Sequence, residues 1–137
     1  NMPKSNAFKL AELIRGIQFD VDNDKIVTQK KVETKNTKRE AATRTSTEAF
    51  SLDTFSKNTF RAARYIVAMS EGTDFHSTEV MLVHDGSTVT LTQYGTLKSK
   101  SLATFDADIS GNDVRLRVSS ASNASTSIKF DRTVVDA

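Results

Sequence analysis

The sequence predicts a mainly β fold: an antiparallel β-sandwich, jelly-roll-like, with a short N-terminal helix. Three observations carry this expectation. From Glu48 onward apolar residues recur with a period of two almost throughout. The pairs Asp85-Gly86 and Gly111-Asn112 punctuate strand-length runs, and near-helical spacing is confined to the first seventeen residues. Runs that each keep one polar face describe two sheets packed face to face.

At the amino end, Phe8, Leu10, Ala11, Leu13, Ile14 and Ile17 recur at near-helical spacing. Ser5 or Asn6 can cap the start, and Gly16 sits where a helix can stop. A helix of about ten residues is marginal alone and needs a surface for its apolar face. That surface belongs either to its own domain or to a neighbouring copy, which makes Phe8 and Leu13 candidates for partner binding. Ile17 to Val21 then alternates apolar and polar residues, as a strand does.

Charge divides the chain unevenly. Residues 1–64 carry 13 Lys/Arg against 8 Asp/Glu, whereas residues 65–137 carry 6 against 9. The excess gathers between Lys25 and Arg44, where Lys30, Lys31, Lys35, Lys38 and Arg39 are the candidates for contact with a partner. Apolar anchors are sparse there. The segment reads either as a solvated loop or edge strand, or as an arm ordered by the acidic surface of a neighbouring subunit. Nucleic acid is disfavoured, because aromatic residues for stacking bases are missing from this stretch. The expected division is therefore residues 1–46, helix and basic segment, and residues 47–137, the sandwich, with parts of 17–46 joining it in one compact unit.

The strands follow in order. Phe60 to Met69 is apolar on both faces for several residues, as a central strand should be, and Tyr65 belongs to the core. Glu79 to His84 is similarly apolar and runs into Asp85-Gly86. Thr88 to Tyr94 then alternates, completing a hairpin signal. Phe105, Ala107 and Ile109 alternate with Asp106 and Asp108; Val114, Leu116 and Val118 alternate with Arg115 and Arg117. Ser119 to Ser127 reads as a loop, and the last strand turns Ile128 and Phe130 inward.

Composition narrows the function classes. The chain has no cysteine, so disulfides and thiolate metal sites are excluded. No apolar run approaches the roughly 20 residues of a membrane-spanning helix, and the amino end lacks the apolar stretch of a signal peptide. His76 and His84 lie on one strand, about 26 Å apart by strand geometry, too far to share a metal or a proton. No serine stands in a recognisable nucleophile elbow beside the His84-Asp85 pair. Asp106 and Asp108 share an outward face, where a salt bridge to Arg115 or Arg117 explains them better than catalysis. Asp20, Asp22 and Asp24 begin like a calcium loop, but its sixth position is Lys25 and its twelfth Lys31, so a strand ending in an acidic turn is simpler. No catalytic residue and no cofactor is expected.

Several ordered motifs bear a resemblance. They are Phe60-Arg61-Ala62-Ala63-Arg64-Tyr65-Ile66-Val67, Glu71-Gly72-Thr73, Thr78 through Gly86, Thr92-Gln93-Tyr94-Gly95-Thr96, Leu102 through Gly111, Val114-Arg115-Leu116, and Lys129 through Thr133. Together with Asp20-Val21-Asp22-Asn23 and Asp53-Thr54-Phe55, this pattern resembles a β-sandwich module of virion structural proteins from marine cyanophages and related ocean phages. The resemblance implies a virion component made in the host cytoplasm. Sparse hydrophobic content and an amphipathic helix without a covering surface predict, in addition, a homo-oligomer that completes its burial between subunits. The expected partners are other virion proteins, and neither a membrane nor nucleic acid is expected. The resemblance does not say whether the part belongs to the head, neck, tail or fibre. The alternative is a receptor-binding module that grips a host-surface glycan. Such sites favour exposed aromatic platforms, and with no Trp in the chain Tyr94 is the one stacking candidate, with Asp85 or Gln93 beside it.

Overall fold

A computed structural model describes residues 32–33 and 36–137. The expected helix with Phe8 and Leu13, the strand after Ile17, Asp20, Asp22 and Asp24, and Lys30, Lys31 and Lys35 lie outside the described residues. The rest is built from antiparallel strands: β1 (Val32–Glu33), β2 (Thr37–Arg44), β3 (Phe50–Ser56), β4 (Phe60–Glu71), β5 (Asp74–His84), β6 (Val89–Lys98), β7 (Ala103–Ser110), β8 (Asp113–Ser120) and β9 (Thr126–Asp136).

They form two sheets. The larger has the order β1-β2-β9-β4-β5-β6 and the smaller β3-β8-β7. Within the larger, β4, β5 and β6 follow one another through tight turns, and β9 returns by a long path to lie beside β4, a Greek-key arrangement. The chain changes sheet at β2–β3, β3–β4, β6–β7 and β8–β9, whereas β4–β5–β6 stay in the larger sheet and β7–β8 in the smaller.

Alternation sets the core. Tyr65 and Val67 of β4, Val80 and Leu82 of β5, and Ile128 and Phe130 of β9 form one buried cluster with Leu52 and Phe55 of β3 and Val114, Leu116 and Val118 of β8. Fully burying a side chain of this kind contributes about 1.5–3 kcal/mol. The Phe55 ring meets Phe60 edge-on at 5.9 Å, and Tyr65 meets Phe130 at 5.6 Å. The β5–β6 turn is held by Asp85, which accepts the N–H groups of Ser87 and Thr88, each at 2.8 Å, and the Thr88 hydroxyl at 3.0 Å. Those donors hold its carboxyl down at about 2. Gly86, at φ 98°, supplies the backbone twist that a side chain would oppose.

The basic segment takes a definite place. Residues 37–44 are β2, paired with β9 along its whole length from Thr37↔Thr133 to Arg44↔Thr126. Over these residues order comes from a ladder within the chain, and the edge-strand reading is nearer to the structure than the arm. The loop expected over 119–127 is also shorter, since β8 runs to Ser120 and β9 begins at Thr126. The Glu71 carboxylate ties the turn between them by accepting hydroxyl bonds from Ser122 and Thr126.

Candidate interaction surface

The large sheet departs from the inside-apolar, outside-polar rule on both faces.

On the inner face a charged group is buried. Residues Ser51 and Asp53 of β3 oppose adjacent residues of β8, so Leu52 is an inserted residue, and this bulge turns both Leu52 and Asp53 inward. The Asp53 carboxylate, with no exposed surface, accepts hydrogen bonds from three strands of the facing sheet: Lys38 Nζ of β2 at 2.8 Å, the Tyr65 hydroxyl of β4 at 2.7 Å and Arg132 Nη1 of β9 at 3.0 Å. The Arg132 guanidinium carbon also lies 5.9 and 5.6 Å from the centres of the Phe55 and Phe60 rings. Burial first, and then the adjacent Asp53 charge, push the Tyr65 phenol far above its ordinary pKa, so it stays a donor. The group joins the two sheets. The sequence carried a partial signal for it: Arg132 keeps the parity of Ile128, Phe130 and Val134, and Asp53 interrupts the alternation between Leu52 and Phe55.

On the outer face apolar side chains are open. Val135, Ala62 and Val83 stand in register across β9, β4 and β5. The adjacent row is Thr133, Arg64, Met81 and Thr92, and the next holds Asp131, Ile66, Glu79 and Tyr94. Partners in an antiparallel ladder share a face, so these rows form one surface. Met81 is 44% exposed, Val83 47% and Val135 63%. The sequence describes β4 and β5 as apolar on both faces, but among the described residues only the inner face is covered. A shallow concavity lies over the first two rows, bounded by Thr90 and Thr92.

The remaining candidates are placed as follows. Lys38 is turned inward to Asp53, with Glu40 3.8 Å away. Arg39 faces outward and pairs with Asp131 at 2.9 Å. Tyr94 stands on the outer face, its hydroxyl 3.5 Å from Glu79. The two residues that the glycan alternative sets beside Tyr94 lie elsewhere. Gln93 pairs with buried Val80 and points to the other face, and Asp85 is committed to its turn at the far end of the hairpin. Asp108 is bound by Arg115, whose Nε donates at 2.7 Å, and this holds the Asp108 carboxyl below its ordinary pKa. Both histidines are buried on the inner side of β5. His76 Nδ1 accepts the Leu102 N–H at 3.1 Å, while His84 accepts the Gly86 N–H at Nδ1 and bonds the Phe60 carbonyl from Nε2. Among the described residues no three His, Asp or Glu side chains gather as a metal site.

No family model matches the sequence, and no curated protein matches it. Among solved structures, this chain is similar to the tailspike protein of Acinetobacter baumannii phage AM24, with 10% identity and a TM-score of 0.46 over 75% of this chain and 27% of that one. It is similar to the tailspike of Acinetobacter phage vB_ApiP_P1, with 12% identity and a TM-score of 0.46 over 77% of this chain and 23% of that one. A third is tailspike gp49 of A. baumannii bacteriophage Fri1, a capsular polysaccharide depolymerase, with 15% identity and a TM-score of 0.33 over 77% of this chain and 21% of that one. The chain thus spans about a quarter of the length of these structures.

Proposed function

We propose that the chain is a bacteriophage virion structural protein that works by assembling with itself or with other virion proteins and does not transform a substrate. The observation that carries this reading is the outer face of the large sheet. Strands β4 and β5 have the sequence of strands covered on both sides, yet Ile66, Met81, Val83 and Val135 stand exposed on one of them. An apolar concavity lined by Ala62, Met81, Val83 and Val135, on a protein of 37% hydrophobic content, marks a place where another protein packs. The resemblance to ocean-phage structural modules agrees with it, as does a rigid two-sheet scaffold of the jelly-roll-like sandwich kind.

Charging this face should disrupt assembly without unfolding the chain. The double variant Met81→Lys/Val135→Lys is expected to raise the dissociation constant of the assembly about tenfold or more, read by light scattering after size exclusion, with an unchanged circular-dichroism spectrum. Assembly identical to the parent would remove the outer face from the account. The glycan alternative is tested separately: a glycan array should show no binding that Tyr94→Ala abolishes, and a reproducible Tyr94-dependent signal would replace assembly with receptor recognition.

A further inference from the structure

We infer that the free edge of β6, from Val89 to Tyr94, pairs with the same strand of a second copy, antiparallel across a two-fold axis, so that two large sheets become one. This deepens the assembly reading above and rests on it. Strand β6 has ten residues and, among the described residues, a ladder partner on one side only, β5. Its other side offers backbone donors and acceptors in the pattern that recruits another strand.

Among the described residues the other sheet ends are guarded, and this one is unguarded from Val89 to Tyr94. At the opposite end of the same sheet β1 has two residues. In the small sheet, edge strand β3 contains the bulge at Asp53, and edge strand β7 carries Asp106 and Asp108. By contrast, Val89-Thr90-Leu91-Thr92-Gln93-Tyr94 contains no charge, no proline and no glycine, and is rich in residues that favour strands. Beyond Tyr94 the ladder with β5 is interrupted: Gly95 and Thr96 intervene before Leu97 pairs with Ser77, and Gly95 takes φ 63°. This bulge bends the strand and confines the regular edge to six residues.

Charge placement selects both the partner and its direction. An uncharged strand meets its own copy without repulsion. The one charge of β6, Lys98, lies at its end. Parallel pairing would set the two Lys98 side chains together, whereas antiparallel pairing sends them to opposite ends. A two-fold contact is self-complementary and closes at two copies, which consumes the edge and stops further growth. It also extends the apolar outer face, because Thr90 and Thr92 border the concavity that includes Met81 and Val83.

The test exploits a chain without cysteine. In an antiparallel two-fold, one residue stands opposite its own copy, with Cα atoms about 4.5–5.5 Å apart, within disulfide reach. Single cysteines are placed in the full chain at each position from 89 to 94, with Leu97→Cys as an exposed control on the same strand. Leu97 would lie at least about 20 Å from its mate. Under mild oxidation one position within 89–94 should give a disulfide dimer at least about tenfold faster than Leu97→Cys, at a yield that thiol-trapped monomer does not reach. If the parent chain assembles but no position in 89–94 crosslinks above the control, the edge pairing is wrong and the assembly reading stands. If the parent chain is monomeric and nothing crosslinks, the edge pairing and self-assembly both fall.

Discussion

Replacing Asp53 with Ala should cost about 3–5 kcal/mol of unfolding free energy, because it strands a buried guanidinium. Arg132 is 4% exposed, its Nη1 bonds Asp53, and its Nε has no partner among the described residues. Two aromatic rings near its guanidinium carbon give a weaker attraction that cannot replace a carboxylate. Lys38 suffers less, since its ammonium can turn to Glu40 at the protein surface. Urea denaturation of Asp53→Ala against the parent measures the loss. The double variant Asp53→Ala/Arg132→Met should recover part of it, because the uncompensated charge is gone and an apolar chain of similar length fills the space. A single-variant cost under about 1 kcal/mol, the range of a surface ion pair, would mean that the group is not what couples the two sheets.

Alkali should destabilise the protein through Tyr65. In the folded chain burial, and then the adjacent Asp53 charge, raise this phenol above its ordinary pKa of 10.0. A group whose folded pKa is raised contributes stability that is complete below the unfolded value and lost as pH climbs above it. The unfolded chain releases the proton from about pH 10, the folded chain retains it, and stability falls by up to about 1.4 kcal/mol per pH unit. Tyr65→Phe removes the titrating group. At neutral pH the variant should be less stable by about 1.5–3 kcal/mol, the value of a hydrogen bond to a charged acceptor. Above about pH 10 its stability should decline less steeply, so that the two curves converge. Parallel decline of both proteins between about pH 9 and pH 12 would show that Tyr65 ionisation is not linked to unfolding.

The strands from Phe60 onward were legible because their inward residues alternate in simple phase and their turns are marked by residues such as Asp85-Gly86 and Gly111-Asn112. Strand β2 was not. Its apolar content is two alanines, Ala41 and Ala42, among Thr, Lys, Arg and Glu, and nothing local marks it as a strand. Its place comes from β9, whose long ladder orders it, and from Asp53, which draws Lys38 inward across the sheet gap. Strand β3 was obscured by its own bulge, since Leu52 and Asp53 are consecutive and both buried, which breaks the period of two. The charged group spans residues 38, 53, 65 and 132, and only the topology brings them together. On the outer face, by contrast, the sequence described β4 and β5 more fully than the chain's own fold uses them. In the assembly proposed above, their second apolar side is the contact surface.

Assembly is the central claim, and the molar mass of the 137-residue chain in solution tests it most directly. Light scattering after size exclusion, loaded at high micromolar concentration, should give an even multiple of the 15.1 kDa chain mass. The mass should fall on dilution in the Met81→Lys/Val135→Lys variant before it falls in the parent. A parent chain that stays at 15.1 kDa throughout would contradict self-assembly.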